Sequence, residues 1–232
     1  MENDFLQLPF SFDIKRLLLD FENCLKYSFI PHFNTSNYSG DWNSISLRSS
    51  DGQIQSIHAH AEGAENYKDT PLLKECSYFK EIIDTFKCKK EAIRLLNLTP
   101  GSYIKEHTDH NLGYEDGCFR IHIPITTNDQ VYFYINGKRV LMKPAECWYG
   151  NFNLSHKVSN QGQTNRIHLI IDCIRNEWTD QIFKEAGYNF EQHTNAPEHS
   201  DAVKIRMIEE LERMGGEASK KIIAELKKDL NH

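Results

Sequence analysis

Residues 119–125 read Phe-Arg-Ile-His-Ile-Pro-Ile, and residues 131–142 read Val-Tyr-Phe-Tyr-Ile-Asn-Gly-Lys-Arg-Val-Leu-Met. In the first stretch an apolar side chain occupies every second position, which is the period of a β-strand with one face on the core. In the second stretch Asn136-Gly137 separates two apolar runs and is a strong signal for a two-residue hairpin turn. The two stretches therefore predict antiparallel strands, with residues 131–135 paired to residues 139–142.

Short strand-like runs continue on both sides of this hairpin. They lie at residues 45–47, 93–98, 146–152, 156–159 and 166–173. Many short strands separated by turns are typical of a β-sandwich or barrel, and a jelly roll is a natural way to bring together residues that are far apart in the chain. The predicted fold class is therefore mainly β, with a jelly-roll core and flanking helices.

Helical patterns occur before, between and after the strand-like runs. Helices are expected at residues 12–27, from Thr70-Pro71 to about Phe86, and at residues 175–187. The first has apolar residues every three to four positions, and the second opens with proline at its first helical position.

The C-terminal part has a different pattern from the rest. Residues 1–188 are expected to form the β domain with its N-terminal helices, and residues 189–232 a linker and a helical hairpin broken at Gly215-Gly216. The two amphipathic helices, at 201–214 and 217–230, carry as many acidic as basic residues, so we expect them to pack on protein. A homodimer contact and a lid over the substrate are the two alternatives.

Composition excludes several classes of partner. The chain has 232 residues, 39% of them hydrophobic, and a net charge of −6. A phosphate backbone needs an excess of basic residues, so no nucleic-acid partner is expected. No apolar run approaches the length of a membrane span, and no membrane partner is expected. Six cysteines spread singly along the chain predict reduced thiols and a cytoplasmic location.

Three side chains are candidates for a metal site: His107, Asp109 and His156. The first two are two positions apart, so both point to the same side of an extended segment. Two imidazoles and one carboxylate leave other metal positions open, which is typical of a non-haem Fe(II) oxygenase and not of a closed structural zinc site. The alternative for these three residues is two surface histidines and a turn aspartate that bind no metal. The pair His58 and His60, in a polar loop with no third partner, is interpreted as surface.

A 2-oxoglutarate-dependent oxygenase also needs a cation near its metal. The 2-oxo acid end chelates the metal, and the distal carboxylate is best held by the planar fork of an arginine. Arg166 begins the last predicted strand and is predicted to reach the cavity of His156. Arg120 and His122 share one face of their strand and are predicted to line the opposite wall. The alternatives are a surface salt bridge for Arg166 and a solvated outer face for the other two.

A series of motifs in order along the chain resembles the aspartyl/asparaginyl β-hydroxylase family. They are residues 100–109 (PGSYIKEHTD), 120–124 (RIHIP), 146–149 (ECWY), 153–158 (NLSHKV) and 166–169 (RIHL). The similarity covers roughly residues 30–178, and the order of the motifs makes it specific.

This resemblance implies a cupin-like double-stranded β-helix that uses Fe(II), 2-oxoglutarate and O2. It implies that His107 and His156 bind the metal and that Arg166 holds the distal carboxylate of 2-oxoglutarate. The Arg120/His122 pair matches the cofactor-contacting Arg-x-His of the family.

One position departs from the vertebrate members, which carry glycine where this chain has Asp109. A full triad is therefore expected, as in bacterial free-amino-acid hydroxylases such as proline cis-4-hydroxylase. Trp42, Arg48 and Arg94 precede the triad in stretches expected to form cavity wall, and they are the candidates for substrate binding. Ordinary surface positions are the alternative for the two arginines.

The expected function is hydroxylation of an unactivated C–H bond of an amino-acid side chain, free or within a peptide, with formation of succinate and CO2. The first alternative is a hydroxylase that acts on a peptide or a carrier-bound residue in a natural-product pathway. The second is a non-catalytic, cupin-like binding module.

Overall fold

The computed structural model describes residues 3–56 and 66–191, and positions 205, 208, 210–212, 223 and 226–227 near the C-terminus. The chain divides into two compact units, Met1–Asn189 and Phe190–His232. The described C-terminal positions are helical, but most of the predicted linker and helical hairpin lies outside the described residues, as do His58 and His60. Among the described residues no helix is long and apolar enough to cross a membrane.

The first unit consists mostly of β-strands. The strands are β1 (Phe5–Ser11), β2 (Ile30–Pro31), β3 (Tyr38–Ser39), β4 (Trp42–Ser49), β5 (Lys68–Asp69), β6 (Lys90–Leu98), β7 (Tyr103–His107), β8 (Cys118–Thr126), β9 (Val131–Ile135), β10 (Lys138–Val140), β11 (Glu146–Gly150), β12 (His156–Asn160) and β13 (Arg166–Ile174). The α-helices are α1 (Ile14–Cys24), α2 (Pro71–Lys74), α3 (Ser77–Thr85) and α4 (Glu177–Glu185).

Within the described residues, the strands form two sheets, and their paired strands are antiparallel. The larger sheet has the order β1-β11-β8-β13-β6-β4-β2, with β5 beside β4, and the smaller has the order β10-β9-β12-β7-β3. One buried cluster contains Trp42 and Leu96 from the larger sheet and Phe133, Ile104 and Val158 from the smaller. The two sheets therefore enclose a common core, as the jelly-roll prediction requires.

The hairpin of β9 and β10 confirms the turn predicted from Asn136-Gly137. Both turn residues have positive φ, 50° and 71° respectively, which is the backbone of a type I′ turn. Lys138 pairs with Ile135 directly across the turn. The turn thus sets the register between β9 and β10, and β9 in turn pairs with β12.

Strand β8 is buried on both faces. Phe119, Ile121 and Ile123 are at most 1% exposed, while Arg120 is 8% and His122 is 4% exposed. The solvated outer face considered for the last two side chains is therefore wrong. Polar groups buried in a central strand need partners or a ligand.

The helix predicted from Pro71 to Phe86 is two helices, α2 and α3. Between them Cys76 has φ −117° and ψ 74°, which is not helical. The buried carboxylate of Asp20 on α1 accepts a hydrogen bond from the backbone N–H of Phe79 at 2.8 Å and so caps α3. A cap supplied by another helix leaves no local signal in the sequence.

Candidate metal centre and adjoining cavities

The pairing of β7 with β12 brings the distant histidines together. His156 lies directly opposite His107 in the antiparallel register, and the ring centroids are 4.2 Å apart. Beyond the end of β7, the backbone N–H of Asp109 donates to the carbonyl of Phe152 at 2.9 Å. Strand pairing therefore places all three metal-ligand candidates at one end of the smaller sheet.

The three side chains present their ligand atoms to one point. One nitrogen of each imidazole and one carboxylate oxygen lie within 4.8 Å of one another, with His107 Nε2 3.8 Å from Asp109 Oδ1. His107 Nδ1 lies 2.7 Å from the carbonyl of Lys105, and His156 Nδ1 lies 2.9 Å from that of Leu154. Each Nδ1–H donates to its carbonyl, so Nε2 is left with a lone pair for a metal ion.

The charge states of two of these side chains suit metal binding at neutral pH. Burial lowers the pKa of His156 to about 4, so its imidazole is neutral. Burial opposes ionisation of Asp109, but the positive charge of the neighbouring Arg120 guanidinium outweighs it and keeps the pKa of the carboxyl below its usual value. A carboxylate and two imidazole nitrogens, with coordination positions left free, fit Fe(II).

Three linked ion pairs support the carboxylate of Asp109. Arg120 Nη1 donates to Asp109 Oδ2 at 3.0 Å, while Nε and Nη2 donate to the fully buried Asp172 at 2.6 and 3.1 Å. Asp172 Oδ2 is also 3.5 Å from Arg94 Nη2. Burial would lower the pKa of Arg120, but Asp172 raises it above the usual value. Arg120 thus orients one oxygen of Asp109 while the other, Oδ1, faces His107.

Arg166 and the metal-ligand candidates line the same inner cavity, which has a volume of about 40 Å³. The guanidinium is 2% exposed, and its Nε makes no hydrogen bond. Burial lowers the pKa of Arg166 to about 9, and no acidic side chain among the described residues pairs with it. His122 lines this cavity too, with Nε2 buried and without a hydrogen bond. A buried cation of this kind calls for an anionic ligand.

An outer cavity of about 250 Å³ adjoins the inner one. The two share walls formed by Trp42, His107 and Asp109. Arg94 also lines the outer cavity and is 3% exposed, and burial lowers the pKa of its guanidinium to about 10. The outer cavity therefore has a buried cation beside the metal-ligand candidates, which suits an anionic group of a substrate.

Arg48 is the predicted substrate residue that the structure does not bring to these cavities. It lies on β4 and pairs with Asp69 on the neighbouring short strand. Its register partner is Ile93, whereas Ser46 pairs with Arg94, and the register shifts between Ser46 and Arg48. This irregularity interrupts the alternation that would have placed Arg48 on the same face as the cavity-lining residues.

Two residues of the site were missed by the sequence reasoning. His32 lines the outer cavity and stacks on Trp42, with ring centroids 3.6 Å apart. No sequence signal distinguishes it from other loop histidines. Asp172 had a usable signal, since a carboxylate in the apolar run 169–173 needs a buried cation. Its register partner on β8 is Arg120.

One family model and several solved structures are similar to this chain. A family model described as aspartyl/asparaginyl β-hydroxylase matches residues 12–176. An oxidoreductase of the 2OG-Fe(II) oxygenase family from Burkholderia pseudomallei superposes with a TM-score of 0.53 and 14% identity, over 75% of this chain and 87% of that chain. A prolyl-4-hydroxylase from Pseudomonas putida aligns over 75% of this chain and 93% of that chain, with 10% identity and a TM-score of 0.48. No curated protein matches the chain.

The predicted double-stranded β-helix is confirmed by the two sheets and by the likeness to the Burkholderia structure. The family model covers most of the chain, from before α1 to the end of β13, and confirms the predicted hydroxylase class. The chain belongs to the aspartyl/asparaginyl β-hydroxylase family.

Proposed function

We propose that the protein is an Fe(II)- and 2-oxoglutarate-dependent dioxygenase that hydroxylates the side chain of a free amino acid. The observation that carries this proposal is the buried guanidinium of Arg166, which lines one small cavity with His107, Asp109 and His156. An oxidation catalyst needs the open metal site, and a dicarboxylic co-substrate needs the cation. A zinc site with a purely structural role would need neither.

The roles of the side chains follow from their atoms. Nε2 of His107, Nε2 of His156 and Oδ1 of Asp109 would hold Fe(II). Arg166 would hold the distal carboxylate of 2-oxoglutarate. When bound, the iron and 2-oxoglutarate would supply the oxidation. With one O2, 2-oxoglutarate would be converted to succinate and CO2, and a C–H bond of the substrate would become C–OH.

The protein itself contributes position and exclusion of water. Arg120 keeps Asp109 ionised and directs one oxygen away from the ion site. Phe133 and Phe152 line the inner cavity with apolar surface, which limits the water that reaches a reactive centre. His122 is the neighbouring polar side chain of that cavity, and we propose it as a co-substrate contact together with Arg166.

The surroundings of Arg94 favour the proposal of a free amino acid as the substrate over that of a residue within a peptide. Its guanidinium is buried, its Nε makes no hydrogen bond, and its acidic partner Asp172 is 3.5 Å away and already bound twice by Arg120. A free α-carboxylate would complete its charge, whereas a residue inside a peptide has no such group. The aromatic ring of Trp42 forms the neighbouring wall and would contact the substrate.

Replacing His107 or Asp109 with alanine tests the assignment. Both variants should lose substrate-dependent formation of succinate, and Glu106→Gln, at an exposed position of the same strand paired with Lys157, should keep it. Turnover retained in either alanine variant would refute the metal site.

Anaerobic addition of Fe(II) and 2-oxoglutarate separates the enzyme from a cupin-like binding module. The enzyme should give a weak visible charge-transfer band, and a binding module should give none. Substrate-stimulated release of CO2, screened over free amino acids and short peptides, would then show which substrate class is used. A response to peptides alone would favour the hydroxylase of peptide or carrier-bound residues.

Two further expectations belong to the same proposal. The six cysteines are free thiols, which supports the cytoplasmic location. Homodimerisation through the C-terminal helices stays a prediction, and light scattering on the full chain tests it, since a monomer has a mass of 27.1 kDa.

A further inference from the structure

His168 contacts Arg166 and His122, the two side chains proposed to bind 2-oxoglutarate. It is 2% exposed and two positions after Arg166 on β13. Its Nδ1 is 3.1 Å from Arg166 Nη2 and 3.3 Å from His122 Nδ1. His168 itself is not part of the wall of the inner cavity, which both neighbours line. Any effect of His168 on a ligand there must therefore pass through those neighbours.

The donors and acceptors in this cluster fix the position of each proton. A guanidinium only donates, so His168 Nδ1 accepts from Arg166 and carries no hydrogen. The contact from His122 Nδ1 reaches the same lone pair, so His122 Nδ1 must carry a hydrogen and be the second donor to His168 Nδ1. Burial, followed by the charge of Arg166, lowers the pKa of both histidines well below the usual value. Both rings are thus neutral, with the proton on Nδ1 in His122 and on Nε2 in His168.

We infer that His168 is a positioning residue, which orients the guanidinium of Arg166 and selects the Nδ1–H tautomer of His122. Arg166 has no acidic partner among the described residues to orient it. The acceptor Nδ1 of His168 orients the guanidinium instead. In this tautomer His122 presents a lone pair at Nε2, which cannot bond to a carboxylate. His122 would therefore touch the co-substrate with its ring, and the N–H groups that bind the carboxylate would come from Arg166. The consequence for the co-substrate rests on the proposed function, but the hydrogen bonds do not.

Nitrogen NMR of the metal-free protein tests the hydrogen bonds without any ligand. With ¹⁵N-labelled histidine at pH 8, the ring signals of His122 should show the proton on Nδ1 and those of His168 the proton on Nε2. His122→Phe and His168→Asn identify the two rings by loss of their signals. In His168→Leu, the signals of His122 should shift towards a mixture of tautomers. A proton on Nε2 of His122 in the wild-type protein would overturn the inference.

Binding of 2-oxoglutarate tests the positioning role. His168→Leu removes the acceptor, while His168→Asn retains a carbonyl oxygen near the place of Nδ1. We expect the leucine variant to bind 2-oxoglutarate at least about tenfold more weakly, as for other residues that orient a ligand-binding group, and the asparagine variant to recover most of the affinity. The readout is the anaerobic charge-transfer titration of the Fe(II)-loaded protein.

In the absence of a substrate, with ascorbate added as the reductant that consumes the second oxygen atom of O2, the KM for 2-oxoglutarate in its conversion to succinate should rise in parallel, with kcat nearly unchanged. Melting temperatures measured without ligand show whether each variant is folded. An unchanged Kd in a folded His168→Leu protein would overturn the positioning role. Failure of the wild-type protein to bind 2-oxoglutarate would instead refute the proposed function and leave the tautomer result standing.

Discussion

Replacing Asp172 tests the role of the buried charges most directly. Asp172 is fully buried and accepts two hydrogen bonds from Arg120, at 2.6 and 3.1 Å. It is also the acidic partner nearest to Arg94, at 3.5 Å. The substitution Asp172→Asn keeps the size of the side chain and removes its charge. Two buried guanidinium groups then share one neutral carbonyl.

The size of the effect follows from burial. Breaking a buried ion pair by removing one partner costs about 3–5 kcal/mol, because the other charge stays buried. Asparagine retains one acceptor oxygen, so the lower end, about 3 kcal/mol, is expected. Arg120 also loses its anchor and holds Asp109 less firmly. Changes of this kind behind a metal ligand weaken metal binding about 10- to 100-fold.

Urea unfolding of the metal-free protein and an Fe(II) titration measure the two effects. With an m-value of about 2 kcal/mol per molar urea, the midpoint should fall by about 1.5 M. Asp84→Asn is the matched control, because Asp84 pairs with Lys80 at the surface, where both side chains are more than half exposed. Its effect should stay below about 1 kcal/mol. A loss below about 1 kcal/mol in Asp172→Asn, with unchanged Fe(II) affinity, would contradict the reasoning.

Three further predictions follow from other parts of the structure. Arg166→Met should abolish binding of 2-oxoglutarate in the anaerobic titration. It should leave the free energy of unfolding of the metal-free protein unchanged or raise it by up to about 3 kcal/mol, because it removes a buried cation that has no acidic partner among the described residues. A clear loss of stability would argue against this. Acidification from pH 7 towards 5 should destabilise the metal-free protein, because burial lowers the pKa of His156 to about 4 and also lowers those of His122 and His168. Well above pH 6.5 all three imidazoles are neutral in both states. As the pH falls through about 6.5, the unfolded chain takes up protons that the folded protein does not. The slope is at most about 1.4 kcal/mol per pH unit for each imidazole, and urea unfolding at several pH values would expose a flat or opposite dependence. Gly137→Ala should lower the free energy of unfolding by about 1–2 kcal/mol, because the residue has a φ of 71°; an unchanged urea midpoint would contradict the turn assignment.

Local patterns were enough to predict most of the strands around the site, although β7, which carries His107, was not among them. Neighbouring residues alone determine the alternation in 119–125 and the turn at Asn136-Gly137. The same is true of the spacing of His107 and Asp109. Each of these features needs only the period of a strand or the backbone of one turn. The convergence of His156 on the same point needed in addition the pairing of β12 with β7, which the family resemblance implied.

Features set by distant contacts were not predicted. Strand β1 pairs with β11 from the other end of the domain, and its own sequence gave no strand prediction. The position of Arg48 depends on a register shift within β4, and a pattern of period two assumes that no such shift occurs. The apolar run around Asp172 indicates that the carboxylate needs a buried cation, but only the neighbouring strands show that the cations are Arg120 and Arg94. In each case the deciding contact comes from another strand.

The balance of charge around the two cavities supports a substrate with a free carboxylate. The described side chains there supply three buried guanidinium groups, Arg94, Arg120 and Arg166, against two carboxylates, Asp109 and Asp172. A divalent ion raises the excess from one positive charge to three, and doubly charged 2-oxoglutarate returns it to one. Charges in such surroundings are costly unless they are matched. A free α-carboxylate at Arg94 cancels the remaining charge, provided that the ammonium group of the amino acid stays at the solvent side of the outer cavity. A residue within a peptide would leave that charge unmatched, so blocking the α-carboxylate of an accepted amino acid as its amide should sharply reduce the stimulated release of CO2.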